Sequence, residues 1–132
     1  MDKINVLYED NHLIIVAKPA GVLIDELQEQ VKGYIKEKYK KPGNVFLGMV
    51  HQLDRNVSGI VLFAKTSKGA ARLSEQFRRH TVEKVYEAKV ENFESLPDHG
   101  ILINWLVHDE NKNMTSVFDE EVPSSKFSEL SY

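Results

Sequence analysis

Cysteine is absent from the 132-residue sequence, and its absence excludes several kinds of site. A disulfide framework, a cysteine-based zinc site, an iron–sulfur cluster and a thiol nucleophile all require this residue. Long apolar runs are also lacking, because segments 13–17 and 60–64 fall far short of the roughly 20 residues that span a bilayer. Residues 1–12 lack the basic and then apolar order of a signal peptide. We therefore expect a soluble, cytoplasmic domain with no membrane attachment.

Charge of one sign is not in large excess, since 17 basic and 20 acidic residues give a net charge of −3. The distribution along the chain is uneven. Residues 51–84 carry seven basic and three acidic side chains, and residues 32–41 carry five basic and one acidic, whereas residues 109–121 carry one basic and five acidic. Because a polyanion responds to the local field, a basic face is compatible with an acidic total. Ordinary solvated surface is the alternative interpretation.

Hydrophobic periodicity predicts an α+β fold with a mixed, mainly antiparallel sheet and two main helices. A four-residue apolar spacing predicts a helix over 25–39, in which Asp25 and Gln28 resemble a capping box. Ser67 is the expected N-cap of a second helix over 67–80. The expected strands cover residues 6–8, 13–17, 60–64, 85–90 and 100–107, and another begins within 127–132.

The most informative segment is the polar stretch 51–59, which directly precedes the strand expected at 60–64. A rigid scaffold presents polar residues at such a strand entrance to a cleft. Asp54 is therefore a candidate nucleophile or general base. The structural alternative is that Asp54 pairs with Arg55 or caps the following turn. A hydrolase that uses Asp54 and His51 is a weaker alternative, because no second positioned carboxylate and no oxyanion glycine cluster accompany them.

Four segments resemble, in the same order, the motifs of the large-subunit type (RluA-like) RNA pseudouridine synthases. Residues 51–59 resemble the H-R-L-D-x-x-T-S-G signature of that family. Residues 7–21, which end in K-P-A-G, resemble its opening motif, and residues 59–66 resemble the strand after its catalytic loop. Residues 84–88 resemble its K-x-Y-x-A motif. The chain is thereby identified as a member of this family.

The resemblance implies isomerisation of uridine to pseudouridine in ribosomal or transfer RNA, without a metal or an organic cofactor. Asp54 matches the essential aspartate, which acts on the ribose at carbon 1′ or at carbon 2′, and Tyr86 matches the tyrosine that stacks on the target base. The base must leave the stack to be processed. The residues expected to contact RNA are His51, Gln52, Arg55, Ser58, Lys68, Arg72, Arg79 and Lys84. The oligomeric state stays open.

A basic stripe on the second expected helix is part of this RNA surface. Lys68, Arg72 and Arg79 gather on the side opposite the apolar residues of that helix. Phosphate contacts by the stripe would offset the few kcal/mol that base extrusion costs. Solvated surface is again the alternative.

The sequence also departs from the family pattern. Gln52 stands where arginine is usual, so the position carries an amide without charge and with a shorter reach, and Val57 replaces a threonine. The T-G-R-x-H-Q-I-R motif, whose basic residue pairs with the catalytic aspartate, does not occur. We therefore expect residues 1–132 to be the N-terminal portion of a catalytic domain, a fragment with little activity alone. A catalytically inactive RNA-binding module of the same fold is the rival hypothesis.

Overall fold

A computed structural model describes residues 4–91 and 93–132, which form two compact units. The first unit ends at Val85 and the second begins at Tyr86. The first contains β1 (Asn5–Glu9), β2 (Leu13–Lys18), α1 (Ile24–Lys38), β3 (Gly48–Met49), β4 (Gly59–Ala64) and α2 (Ser67–Arg78). The second contains a 3-10 turn (Phe93–Ser95), β5 (Ile101–Asp109), β6 (Met114–Phe118) and β7 (Lys126–Ser131). Every strand pairing in the described residues is antiparallel, and the predicted α+β class with two main helices is confirmed.

The sheet of the first unit has the strand order β1-β2-β4-β3. The strands predicted at 6–8 and 13–17 are present as β1 and β2, which pair antiparallel in a hairpin, and β2 pairs with β4 from Leu13 opposite Ala64 to Lys18 opposite Gly59. The end of β2 therefore lies beside the start of β4. This register brings the K-P-A-G turn and the loop 51–59 to the same end of the sheet.

The core of the first unit lies between one face of this sheet and α1. Alternate residues of β2 and β4 are buried, as the two-residue period of a strand requires. The helix contributes residues at four-residue spacing, and each fully buried aliphatic side chain is worth about 1.5–3 kcal/mol. The side chains of this layer that are at most 2% exposed are Ile14, Val16, Leu27, Val31, Ile35, Val61 and Phe63.

The N-terminus of α1 differs from the prediction. Leu23 occupies the N-cap, and its backbone N–H donates to the Glu26 carboxylate at 3.2 Å. The expected capping box of Asp25 and Gln28 is therefore wrong, because Asp25 already lies in the first helical turn. The Gln28 amide instead donates to the carbonyl oxygen of Leu47 at 2.8 Å.

The N-cap of α2 is Thr66, one residue before the predicted Ser67. Thr66 has an extended backbone, and its Oγ1 accepts the N–H of Gly69 at 3.0 Å. An N-cap residue needs this non-helical conformation to bring its oxygen over the unpaired N–H groups of the first turn. Ser67 already has helical geometry, so it cannot fill that position.

The sheet of the second unit has the order β6-β5-β7. Strands β5 and β7 confirm two predicted strands, whereas β6 was not predicted. The β5–β6 hairpin turns through Asp109, whose Oδ1 accepts the N–H groups of Asn111 and Lys112, and through Asn113 in the left-handed region with φ 48°. The strand expected at 85–90 is wrong. These residues alternate in polarity, but they are exposed and belong to neither sheet.

Candidate active site

Asp54 lies on the loop between β3 and β4, and its side chain is exposed. Leu53 before it is buried and Val57 after it packs against the core, so the loop is anchored on both sides. The carbonyl oxygen of Asp54 accepts the N–H of Val57 at 3.0 Å, which closes a tight turn. Among the described residues of the first unit, the Asp54 carboxylate has no hydrogen-bond or ion-pair partner. The loop backbone is therefore fixed, and the Asp54 carboxylate on it is exposed and unpaired within the described part of the first unit.

Arg55 is bound to the K-P-A-G turn and not to Asp54. The Nε of Arg55 donates to the carbonyl oxygen of Gly21 at 3.0 Å, and the N–H of Gly21 donates to the carbonyl oxygen of Arg55 at 2.7 Å. Gly21 has φ 91°, a left-handed conformation that favours glycine. This reciprocal pair of hydrogen bonds fixes the backbone directly after Asp54. The alternative in which Arg55 neutralises Asp54 is not observed.

Lys18 also joins the K-P-A-G turn to the loop 51–59, although the sequence analysis assigned it no role at the site. Its side chain is 1% exposed, and Nζ donates to the carbonyl oxygens of Pro19 at 3.1 Å, Val22 at 2.7 Å and Arg55 at 3.1 Å. A buried ammonium is tolerated when all of its donors are satisfied. The signal available in the sequence was a lysine at the end of an otherwise apolar strand, directly before Pro19.

His51 holds the entrance of the loop against β4 and α2. Its Nε2 accepts the N–H of Leu62 at 2.9 Å, and its ring stacks on Phe77 with centroids 5.1 Å apart. Burial lowers the pKa of His51, and the charge of Lys84 lowers it further. Because Nε2 is the acceptor, the neutral ring carries its proton on Nδ1. In this geometry His51 positions the loop.

The other predicted site residues are placed as follows. Gln52 and Ser58 are exposed on the Asp54 loop, and Lys84 is exposed near the end of the first unit. Lys68 and Arg72 are exposed on α2. Val57, the residue in place of threonine, packs against apolar neighbours, so the site needs no hydroxyl there for its packing.

Arg79 differs from the other two residues of the predicted basic stripe. Its Nε pairs with the Glu75 carboxylate at 2.5 Å, and Arg78 pairs with the same carboxylate. Lys68 and Arg72 have no carboxylate partner in the part of the chain that the structure describes. The structure therefore divides the stripe into an unpaired part and an ion-paired part.

Tyr86 is the first residue of the second unit and lies outside its strands. Its side chain is 58% exposed. Within residues 86–91 and 93–132 it makes no hydrogen bond or ring contact. The phenol ring is thus available for stacking on a base.

Neither a metal-binding cluster nor a membrane-spanning helix occurs in the described ranges. Residues 4–91 and 93–132 contain no group of three or more His, Asp or Glu side chains that could hold a metal ion. No helix in the same two ranges is long and apolar enough to cross a membrane.

Comparison with known proteins finds sequence similarity to RNA pseudouridine synthases. A family model described as RNA pseudouridylate synthase matches residues 12–132. The chain is 38% identical over 95 residues to the ribosomal large subunit pseudouridine synthase C of Buchnera aphidicola, a match that covers 71% of this chain and 30% of that protein. It is 37% identical over 93 residues to the tRNA pseudouridine synthase C of Haemophilus ducreyi, covering 69% of this chain and 38% of the relative.

A solved structure shows the same fold. The human RNA Pseudouridylate Synthase Domain Containing 4 aligns with a TM-score of 0.63 and 16% sequence identity, over 95% of this chain and 51% of that one. The chain spans about a third of the length of the curated relatives named above.

Proposed function

We propose, from the premise that the chain belongs to the RNA pseudouridylate synthase family, that it supplies the catalytic aspartate for isomerising uridine to pseudouridine in RNA. The observation that supports this proposal is the state of Asp54, an exposed carboxylate with no partner in the first unit on a loop fixed from both sides. A carboxylate that stabilises a loop through its side chain would be engaged by neighbouring N–H groups. This one is left for a ligand.

The proposed reaction is a rearrangement that conserves all atoms. The bond between N1 of uracil and carbon 1′ of the ribose breaks, the base turns, and carbon 5 bonds to carbon 1′, while the proton on carbon 5 leaves and N1 gains one. Asp54 stabilises positive character at the anomeric carbon, as carboxylates do in glycoside hydrolysis. It acts either as a nucleophile at carbon 1′ or as a base at carbon 2′. The ring of Tyr86 stacks on the detached uracil.

The proposed RNA surface comprises His51, Gln52, Arg55, Ser58, Lys68, Arg72, Arg79 and Lys84. All of these residues except the half-buried His51 are exposed, and five of them are basic, since α2 and the Asp54 loop carry most of the basic residues of segment 51–84. We propose ribosomal or transfer RNA as the substrate class. One of the two curated relatives is named a ribosomal large subunit pseudouridine synthase and the other a tRNA pseudouridine synthase. The cytoplasmic location and the assignment of residues 1–132 to the N-terminal portion of one catalytic domain stay predictions.

Gln52 is proposed to fill the space of the extruded base with an uncharged amide. An amide both donates and accepts hydrogen bonds, so it can pair with the base left behind. Replacing Gln52 with arginine adds one charge, and we expect the variant to bind RNA more tightly and with a steeper salt dependence.

The decisive experiment follows the carbon-5 proton. RNA labelled with tritium at carbon 5 of uridine is incubated with the chain and with Asp54→Asn, which preserves the size of the side chain. Tritium release by the wild type, slow as expected of a fragment with little activity alone, that Asp54→Asn abolishes at unchanged RNA affinity supports the enzyme. A variant as active as the wild type contradicts the assignment of Asp54.

The inactive RNA-binding module is the second candidate, and the same experiment separates it. It is favoured by Gln52, which stands where arginine is usual in the family pattern. RNA binding by the wild type, with tritium release no greater than that of Asp54→Asn, supports the module. Neither binding nor release contradicts both candidates.

A further inference from the structure

A hollow of about 270 Å³ lies in the first unit between the β1–β2 turn and α2, away from the Asp54 loop. We call it the α2 hollow and define it by four lining side chains, His12 from the turn and Lys68, Arg72 and Gln76 from the helix. The four supply two full positive charges, an imidazole and an amide. Each of them is exposed, so a ligand in the hollow can reach them.

The hollow takes its shape from a close contact between the turn and the helix. A Cβ on Gly69 would lie 3.0 Å from the carbonyl oxygen of His12, and Nδ1 of His12 lies 3.4 Å from Oγ1 of Thr66. The hydroxyl of Thr66 also caps the helix through the N–H of Gly69. The wall that carries His12 is therefore held at a fixed distance from the wall that carries Lys68 and Arg72.

Lys68 and Arg72 are one helical turn apart, so their side chains are neighbours on the surface of α2. Neither has a carboxylate partner among the described residues, in contrast to Arg78 and Arg79, which share Glu75. The uncompensated positive charge of α2 is thus concentrated at the hollow. The ion-paired arginines lie further along the helix.

One carboxylate, Asp10, also lines the hollow. Its Oδ1 accepts the backbone N–H groups of His12 at 2.7 Å and Leu13 at 2.8 Å, and its Oδ2 accepts the hydroxyl of Tyr8 at 3.2 Å. These bonds hold the β1–β2 turn and lower the pKa of Asp10. The local charge remains positive, since two cations face one engaged carboxylate.

We infer that the α2 hollow is a subsite for the phosphate backbone of the substrate RNA, outside the reaction centre. The inference rests on the proposed function, because that function makes RNA the polyanion that the first unit meets. Because the polar lining of the hollow is exposed and carries two cations against one engaged carboxylate, it suits a phosphate on a strand that runs over the surface. Leu13 and Leu73 complete the lining with apolar surface against which a ribose can pack.

The first test compares matched double variants. Lys68→Gln with Arg72→Gln removes two charges at the hollow. Lys36→Gln with Lys40→Gln, the α1 pair, removes two exposed charges at the same sequence spacing, in α1 and just after its end, and neither lysine has a carboxylate partner among the described residues. The affinity for a 20-nucleotide uridine-containing RNA is measured by fluorescence anisotropy over a series of KCl concentrations. We expect the α2 pair to bind roughly tenfold more weakly and to lower the salt slope by about 1.4, since each phosphate contact on a single strand contributes about 0.7. The α1 pair stays near the wild type.

A second variant changes the affinity in the opposite direction. Asp10→Asn keeps an oxygen that accepts the N–H groups of His12 and Leu13, but removes the negative charge that lines the hollow. We expect RNA binding to tighten roughly threefold. Glu37→Gln, which removes an exposed charge on α1, is its control and leaves the affinity unchanged. Equal effects of the two variants would indicate a response to net charge alone and would overturn the subsite.

A third measurement separates an RNA subsite from a site for a free anion. Inorganic phosphate alone is titrated at constant ionic strength while unfolding temperature is recorded for the wild type and the α2 pair. Stabilisation of only the wild type at millimolar phosphate, without any loss of RNA affinity in the α2 pair, would assign the hollow to a free anion and overturn the proposal.

The subsite and the proposed function fail in different ways. Unchanged RNA binding by the α2 pair, together with tritium release that depends on Asp54, contradicts the subsite and leaves the enzyme standing. Weaker binding by the α2 pair, with no tritium release from the wild type beyond that of Asp54→Asn, supports the subsite and contradicts the enzyme. A wild-type chain that does not bind RNA overturns the subsite.

Discussion

Lys18 is a buried cation whose three donated hydrogen bonds all end on backbone carbonyl oxygens. One of these oxygens belongs to Arg55, which follows Asp54 directly, so a side chain on β2 helps to set the position of the candidate catalytic group. Residues 18–21 form the K-P-A-G end of a segment that resembles a family motif, so the turn itself was recognisable in the sequence. Its contact with Arg55 was not predictable, because the two residues are 37 positions apart and only the register of β2 on β4 brings them together.

Lys18→Met is the variant that tests this support. Methionine fills a similar volume but leaves the carbonyl oxygens of Pro19, Val22 and Arg55 without their shared donor. We expect the free energy of unfolding to fall by about 2–4 kcal/mol, as measured by urea denaturation. Lys36→Met makes the same chemical change on the exposed face of α1 and is expected to alter stability by less than about 0.5 kcal/mol. Equal effects of the two variants would contradict a structural role for Lys18.

Glu9 is the second residue whose partners the sequence did not reveal. Its side chain is 8% exposed and accepts hydrogen bonds from Lys38, Lys65 and Tyr39, each at 2.7 Å. Burial by itself would raise the pKa of Glu9, but the hydrogen bonds from Lys38, Lys65 and Tyr39 outweigh it and hold the pKa at about 2. The carboxylate thereby joins β1 to the end of α1 and to the segment after β4.

The pH dependence of stability follows from this shift. The pKa of Glu9 is lower in the folded chain than in the unfolded chain, so its stabilising effect is complete above about pH 4.5 and is lost as the pH falls toward 2. Glu9→Gln should lower the free energy of unfolding by about 2 kcal/mol at pH 7 and flatten its decline below pH 4.5. Glu29→Gln, which removes a carboxylate that is 71% exposed, should retain the wild-type decline. Urea denaturation at several pH values measures both, and parallel curves for wild type and Glu9→Gln would refute the assignment.

At the scale of elements, prediction succeeded for segments with a clear apolar pattern. It failed where strand formation depends on a pairing partner elsewhere in the chain. Helix α1 buries residues at the four-residue spacing that its sequence displays, and strands β2 and β4 coincide with the two apolar runs of the sequence. Segment 85–90 has the alternation of a strand but belongs to no sheet, whereas β6 (Met114–Phe118) shows no regular alternation and is a strand because β5 pairs with it. A strand is defined by its neighbour, so a single sequence segment cannot specify it.

Replacing each of two helical glycines with alanine is expected to change stability in opposite directions. A methyl group added at Gly33 of α1 would meet nothing within 4 Å, so Gly33→Ala should stabilise the chain by about 0.5–1 kcal/mol through the lower entropy of the unfolded state. A methyl group on Gly69 of α2 would lie 3.0 Å from the backbone carbonyl of His12. Gly69→Ala should therefore destabilise by about 1 kcal/mol, since the gain in helix propensity is smaller than the cost of moving the turn. Thermal unfolding of both variants measures the two stability changes. Stabilisation by Gly69→Ala would contradict the prediction and show that the β1–β2 turn moves at little cost.

At the scale of the whole molecule, buried side chains are distributed unevenly between the two units. Every described apolar side chain that is buried lies between Ile14 and Ala64, in the first unit. In the second unit, no described side chain reaches that degree of burial, and Ile101, Ile103 and Val117 are each more than half exposed. Composition could not reveal this asymmetry, because segment 100–107 is as apolar in sequence as the strands of the core.

The burial pattern predicts that the two sheets differ in stability. Strands β2 and β5 occupy equivalent places, since each is hydrogen-bonded on both sides, so a difference in amide exchange between them reports on packing and not on strand pairing. Because only β2 lies on a buried apolar layer, its amides should exchange through global unfolding, whereas β5 amides should exchange at least a hundredfold faster through local opening. Hydrogen exchange followed by mass spectrometry resolves the two strands. Mild denaturant supplies the control, since it should accelerate exchange in β2 steeply and in β5 only weakly. Equal protection of β2 and β5 would mean that the second unit draws its stability from something other than side-chain burial.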